Sequence, residues 1–265
     1  MGRQDNSPEG VAVLSARDIC VRFGGIHALQ GVSLEVGAGQ ICGLIGPNGA
    51  GKTTFFNAIT RLSGVSEGSI RLYGRSIADA RPRDIIARGI ARTFQNVGIY
   101  GSMSVLENVM LGAHHRIGGH FIEALFRPGR ARRRDRDCQE RSAEILRELG
   151  MIEVANTPAG SLPYPLQKRM EIARALAAEP TLLLLDEPAG GLTHGEVAEF
   201  AEMASAIRDR HKLSILLIEH HMGLVMSLCD RVDVFHLGRN LAGGTPEQVK
   251  ADPRVIAAYL GRSAA

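Results

Sequence analysis

The stretch Gly46-Pro47-Asn48-Gly49-Ala50-Gly51-Lys52-Thr53 decides the fold of this 265-residue chain. It fits the pattern G-x-x-x-x-G-K-[ST], and its flanks supply the context that the pattern requires. Residues 41–45 form a short apolar strand before it, and residues 53–62 read as a helix after it. Strand, glycine loop and helix together begin a βα unit. The glycines let backbone N–H groups wrap the β- and γ-phosphates of a nucleotide, and the helix N-terminus adds its partial positive charge. Lys52 neutralises the phosphates and Thr53 offers a hydroxyl to Mg²⁺. A glycine-rich turn with an exposed lysine is the competing reading, which the full motif and its flanks make the weaker one.

Working outward, residues 181–185 and 214–218 are continuous apolar runs, as parallel strands covered on both faces require. Between them Val197, Phe200, Ala204 and Ile207 recur at helical spacing and predict one buried stripe. Strand, helix, strand implies a parallel α/β sheet. The first of these runs ends in Asp186-Glu187. A carboxylate at the C-terminal edge of a parallel sheet lies where α/β folds bind ligands, so Asp186 is placed to hold Mg²⁺ and Glu187 to act as general base on a water. Alone, such a pair is more often a helix N-terminal charge pair before Pro188; beside a phosphate loop the functional reading prevails. The first forty residues alternate instead: Val32, Leu34 and Val36 share a face, and Val11, Val13 and Ile19, Val21 bracket an expected turn, which predicts an antiparallel β edge. Residues 96–165 are richer in helix formers, arginine, Gly and Pro, and predict an inserted helical subdomain. The expected division is thus one domain over 11–265, with a core of 11–95 and 166–265, a helical subdomain of about 96–165, and a flexible N-terminus over 1–10.

Hydrophobic residues make up 45% and charged residues 22% of the chain, which argues against disorder, collagen and coiled-coil rods. The length excludes two full nucleotidase domains. No apolar run approaches the roughly 18–20 residues of a membrane helix, and the polar start, with Arg3, Asp5 and Glu9, is not a secretory signal. A cytoplasmic protein is expected. Cys20, Cys42, Cys138 and Cys229 show no metal-ligand spacing and read as reduced thiols. The net charge of +3 implies no polyanionic partner by itself. Arg127, Arg130, Arg132, Arg133, Arg134 and Arg136 cluster against Asp135. A solvated helix face is the first reading of that cluster and a membrane-surface role the second. Nucleic-acid binding is third, since no aromatics are interleaved.

These segments resemble the ATP-binding subunits of ABC transporters nearly end to end. The resemblance implies a P-loop NTPase of RecA-like type, with ATP and Mg²⁺ held by Gly46, Pro47, Asn48, Gly49, Ala50, Gly51, Lys52, Thr53 and Thr54. It implies that Gln95, in Arg92-Thr93-Phe94-Gln95, touches Mg²⁺ and the water, joining Thr53 and Asp186 at the metal. His220, chosen over His221 by its register after the strand, would contact the γ-phosphate, and Phe23 would stack on adenine. Catalysis would then rest on Glu187, His220 and Gln95. Arg22-Phe23-Gly24-Gly25, Val105-Leu106-Glu107-Asn108-Val109, Leu217-Ile218-Glu219-His220, Gly244-Thr245-Pro246-Glu247 and Ala258-Tyr259-Leu260-Gly261 resemble branched-chain amino acid importer ATPases in particular. That likeness implies a peripheral protein on the cytoplasmic face of the inner membrane. Its partners would be a second ATPase subunit, identical or different, two transmembrane permease subunits and, indirectly, a periplasmic or extracellular substrate-binding protein, with no nucleic acid. An exporter-type ATPase such as a lipopolysaccharide transport subunit, or a nucleic-acid-linked ABC ATPase, is the alternative.

The chain departs from the family at two places. The signature loop, L-S-G-G-Q or L-S-Y-G-Q, is here Leu162-Pro163-Tyr164-Pro165-Leu166-Gln167, so that a hydroxyl and a glycine N–H that would bind the partner subunit's γ-phosphate are both lost. Thr193 stands where Asp or Asn is usual and keeps a hydroxyl without the carbonyl.

Overall fold

The computed structural model describes residues 12–93, 98–113 and 128–260, with 128–132 and 260 described by backbone alone. They divide into two compact units, one within Met1–Ile85 and Thr181–Ala265, the other within Ile86–Pro180. The boundaries 96 and 165 expected from the sequence fall inside the second unit.

In the first unit, β1 (Leu14–Phe23) and β2 (Ile26–Val36) pair antiparallel across Gly24-Gly25. β4 (Glu67–Leu72) and β5 (Arg75–Ser76) complete a sheet of order β2-β1-β4-β5. The turn expected between Val13 and Ile19 does not form. β1 runs straight through, and Asp18 (φ 52°) makes a bulge that shifts its pairing with both neighbours. The extra residue switches the parity of the alternation, so that Leu14 and Ala16 before it and Ile19 and Val21 after it are all buried. The Asp18 N–H, displaced from the ladder, bonds the Ser33 hydroxyl at 2.9 Å.

The second sheet of this unit is parallel at its centre. β3 (Ile41–Ile45) lies between β8 (Ser214–Ile218) and β9 (Arg231–His236); β7 (Leu182–Asp186) pairs with β8, and β10 (Arg239–Gly244) returns antiparallel along β9. Every residue of β3, β7 and β8 is buried, because these runs are aliphatic on both faces. Each such Leu or Ile contributes about 1.5–3 kcal/mol of transfer free energy. Phe55, on the helix Lys52–Ile59, meets Phe235 of β9 edge-to-face at 5.4 Å and fixes that helix on the sheet. The helix His194–His211 buries the expected stripe Val197, Phe200, Ala204 and Ile207. Thr193 is its N-cap: the hydroxyl accepts the Glu196 N–H, while Glu196 takes the Thr193 N–H at 2.7 Å. That N–H and hydroxyl hold the Glu196 carboxyl below its ordinary range.

Among its described residues the second unit is mostly helical, around Val105–Gly112, Pro128–Glu148 and Tyr164–Ala177, with one short strand, β6 (Ile90–Arg92). Gly112 packs so close to the helix Tyr164–Ala177 that a side chain there would overlap the Arg174 carbonyl. Asn108, fully buried, accepts the Tyr100 N–H at 3.0 Å and donates to the Tyr100 and Ser104 carbonyls, which pins the loop before its helix. Of the arginine cluster, Arg133, Arg134 and Arg136 are exposed on Pro128–Glu148 and Arg136 pairs with Glu140 at 3.1 Å; Arg127 and the side chains of Arg130 and Arg132 lie outside the described residues.

Candidate nucleotide site

The site is built at the C-terminal edge of the parallel strands of the first unit. In the ladder Leu44 pairs with Ile218, and Ile218 with Asp186, so the ends of β3, β8 and β7 stand in one row. Two strand spacings, about 10 Å, separate the outer members of that row. The glycine loop leaves β3 there, Asp186-Glu187 leave β7, and Glu219-His220 leave β8.

The loop's backbone can be made only by glycine at two positions. Gly46 (φ 149°) lies against β9, where a Cβ would overlap the Phe235 carbonyl. Gly51 (φ 101°) would place a Cβ 2.6 Å from Leu29 Cδ2 and 2.9 Å from the Ala28 carbonyl oxygen. Ala50 N–H closes a turn onto the Pro47 carbonyl at 3.1 Å, and the Gly238 N–H holds the Ala50 carbonyl at 3.1 Å. The helix Lys52–Ile59 then starts with Gly51 as N-cap and no capping side chain, leaving the first-turn N–H groups to an anion. Lys52 is buried, and its ammonium donates to the carbonyls of Gly46 at 2.6 Å and Pro47 at 3.1 Å, which holds the charge over the loop. Thr53 is exposed and Thr54 half-buried on the same turn. Residues 28 and 29 of β2 abut Gly51, so the hairpin that carries Phe23, 52% exposed, rises beside the loop.

Asp186 is buried at the end of β7. Glu187 turns away in the left-handed region (φ 48°), a conformation that costs a non-glycine residue about 1–2 kcal/mol. It is held there by its N–H to the Ile218 carbonyl at 2.9 Å and by the Gly190 N–H on its own carbonyl at 3.1 Å. The adjacent histidines have separate occupations. His221 caps the helix Met222–Leu228, its Nδ1 accepting the Leu224 N–H at 3.2 Å. His220 is exposed, with Nδ1 3.6 Å from the Glu219 carboxylate. Gln95 lies outside the described residues.

Sequence pattern assigns no role of its own to Glu219, which stands between Ile218 and His220. It is fully buried, and three backbone N–H groups converge on its carboxylate: Ala189 at 3.0 Å on Oε1, His220 at 2.6 Å and His221 at 2.8 Å on Oε2. The available signal is an acid directly following four aliphatic residues, Ile215 to Ile218. On the loop's other side a cavity of about 460 Å³ is lined by Pro47, Asn48, Ala50, Leu237 and Leu241 and by Arg254 and Ala258 of the helix Pro253–Leu260.

Among the described residues no group of three or more His, Cys, Asp or Glu could cage a metal ion. The oxygens present, the Thr53 hydroxyl and the Asp186 carboxylate, suit a hard cation that keeps waters and phosphate oxygens, as Mg²⁺ does. The signature-loop residues belong to the second unit. Pro163 is the N-cap of the helix Tyr164–Ala177 and Pro165 its second residue. The Gln167 N–H already turns back to the Pro163 carbonyl at 3.1 Å, so only the Tyr164 and Leu166 N–H groups remain in that first turn.

A family profile described as ABC transporter matches residues 29–190, and one described as Branched-chain amino acid ATP-binding cassette transporter matches residues 239–265. The chain is 41% identical over 251 residues, 95% of itself and 98% of the relative, to the high-affinity branched-chain amino acid transport ATP-binding protein BraF of Pseudomonas aeruginosa. It is 40% identical over 251 residues to the LivG protein of the same description from Escherichia coli K12, again covering 95% and 98%. Among solved structures it resembles the ADP conformation of MJ1267, an ATP-binding cassette of an ABC transporter, with TM-score 0.82 and 29% identity over 94% of this chain and 99% of that one. A nucleotide-free ATP-binding cassette from an ABC transporter is equally similar, with TM-score 0.82, 29% identity and coverage of 94% and 98%.

Proposed function

Because the chain belongs to the ATP-binding cassette family of ABC transporters, we propose that it is the ATP-binding and ATP-hydrolysing subunit of an importer for branched-chain or related amino acids. One observation carries the reading: a phosphate loop with its lysine held over it and the pair Asp186-Glu187 leave neighbouring parts of one sheet edge. The match of residues 239–265 to the branched-chain profile supports the substrate class.

In this reading the loop amides and Lys52 bind the β- and γ-phosphates, and Phe23 stacks on the adenine. Thr53, Asp186 and Gln95 hold Mg²⁺, which when bound neutralises phosphate charge. Glu187 takes a proton from the attacking water and His220 donates to the γ-phosphate. The backbone bonds of Glu187 to Ile218 and Gly190, which fix where the residue leaves the sheet edge, support this role. A second cassette would complete the site across a dimer, with two permease subunits carrying the substrate and a binding protein delivering it. Among the described residues no helix is long and apolar enough to cross a membrane, which suits a peripheral subunit on the cytoplasmic face.

The test is transport itself. In cells lacking the gene, uptake of labelled leucine, isoleucine and valine should fall and return with the wild-type gene, but not with Glu187→Gln. Undiminished uptake of all three, with ATPase activity retained by the purified chain, would leave the cassette and overturn the substrate class.

A further inference from the structure

We infer that Glu219 is a positioning residue that ties the turn bearing Glu187 to the segment bearing His220, so that both are set by one buried carboxylate. This rests on the hydrolytic reading of Glu187 and His220 given above. The geometry is specific. Glu187 is followed two residues later by Ala189, whose N–H ends on Glu219 Oε1 at 3.0 Å, while the Glu187 N–H ends on the Ile218 carbonyl at 2.9 Å. The turn is therefore stitched twice to the end of β8, once through main chain and once through the Glu219 side chain. The other carboxylate oxygen takes the N–H groups of His220 and His221 at 2.6 and 2.8 Å, which fixes the chain's exit from β8.

A carboxylate that is fully buried carries a large desolvation cost unless donors surround it. Here three N–H groups do so, and no other side chain of that size accepts all three. A glutamine presents one acceptor oxygen, and its NH₂ would face one or two of these donors; an aspartate keeps both oxygens but withdraws them by one methylene. The hydrogen bonds of Glu219 come from the backbone of Ala189, His220 and His221, with the His220 imidazole 3.6 Å away, and the loop has its own bonds from Lys52 and Gly238. Losing the Glu219 bonds should therefore misplace the hydrolytic groups while leaving the loop's grip on nucleotide intact.

The test compares Glu219→Gln with wild type in the full-length chain. A misplacement of the hydrolytic groups should lower kcat about 10- to 100-fold. The Kd of a fluorescent ATP analogue should stay within about twofold, the pattern of an interaction that matters only in the transition state. Amide hydrogen exchange supplies a readout that general loss of stability would not give. The amides of residues 189, 220 and 221 should exchange faster together, while those of Lys52–Ile59 keep their wild-type rates. Wild-type kcat, or faster exchange spread equally over Lys52–Ile59, overturns the proposal. Should Glu219→Gln not fold, Glu219→Asp carries the same comparison, and failure of both to fold also overturns it, because the carboxylate would then be a requirement of the fold. Glu187→Gln in the same assay separates the two readings: if turnover survives that substitution the hydrolytic role of Glu187 fails, whereas the exchange pattern still reports on the Glu219 bonds.

Discussion

Glu187 donates its N–H to the carbonyl of Ile218 at 2.9 Å, so the residue after the buried Asp186 is locked in a left-handed turn against the end of β8. The same ladder pairs Ile218 with Leu44, the residue two before the phosphate loop. A single row of backbone hydrogen bonds therefore sets the general-base candidate against the loop, and the order of strands β3, β8, β7 becomes a statement about chemistry.

Lys52 and Glu187 should fail in different ways. Lys52→Ala removes a charged donor from the phosphates, and hydrogen bonds to charged groups are worth about 1.5–3 kcal/mol, so the Kd for ATP should rise about 10- to 100-fold. Glu187→Gln should keep binding and lose about 10²- to 10⁴-fold in turnover. Titration with a fluorescent ATP analogue beside steady-state ATPase rates decides the matter; equal loss of binding in both variants refutes the assignment.

Gly46→Ala should be as damaging as loss of the lysine. The added Cβ would overlap the Phe235 carbonyl, and both groups are backbone, so the loop itself must shift. Nucleotide affinity should fall at least about tenfold, or 1.4 kcal/mol. Gly49, whose Cβ would meet nothing within 4 Å, is the control: Gly49→Ala carries only the strain of its φ of 81° and should bind more tightly than Gly46→Ala.

Pro163 and Pro165 should make two ATP sites unequal when this chain pairs with a different cassette. Each preorganised donor to developing charge is typically worth about 10²–10³ in rate, and this helix start lacks two of the family's donors. The partner's ATP would be the slow one, and an assembly of two identical chains would be a weak ATPase. Pro165→Gly, alone and with Pro163→Ser, should raise turnover of the assembled complex; no change in either would mean that another group supplies the donors.

Asn108→Ala should destabilise the second unit by about 1 kcal/mol, because an intramolecular hydrogen bond is worth about 0.5–1.5 kcal/mol and the Tyr100 N–H loses its acceptor, while the Tyr100 carbonyl keeps the Met103 N–H at 3.0 Å. The shift of a denaturant midpoint at unchanged slope reports it.

The buried thiols predict the alkaline limit. Burial pushes the Cys229 thiol up to about 12, and burial together with the Asp233 carboxylate pushes Cys42 up as well. The folded state thus keeps protons that the unfolded chain releases near pH 9, so this contribution to stability is complete below that pH and is lost as pH rises toward 12. Iodoacetamide at pH 8 should leave Cys42 and Cys229 unmodified until denaturant is added. Fast labelling of either in the native chain would contradict the burial.

Much of this protein was written in its sequence because the relevant physics is local. An aliphatic run followed by a glycine-rich octapeptide and a helix can satisfy its backbone in few ways, so β3, its loop and Lys52 could be read directly, as could β7, β8 and the stripe from Val197 to Ile207. Covalent neighbourhood also put Glu187 beside Asp186. Non-local pairing was not legible. Asp18 looked like part of a turn because a bulge and a turn interrupt alternation in the same way, and only the pairing of β1 with both β2 and β4 distinguishes them. Thr193 looked like a lost carbonyl, and the start of the helix His194–His211 shows the hydroxyl used as a cap. Glu219 and Ala189 are thirty residues apart, and nothing in either segment announces that one carboxylate will gather amides from both. That contact exists because parallel strands bring their C-terminal ends together in space, a consequence of sheet order that tertiary packing alone decides.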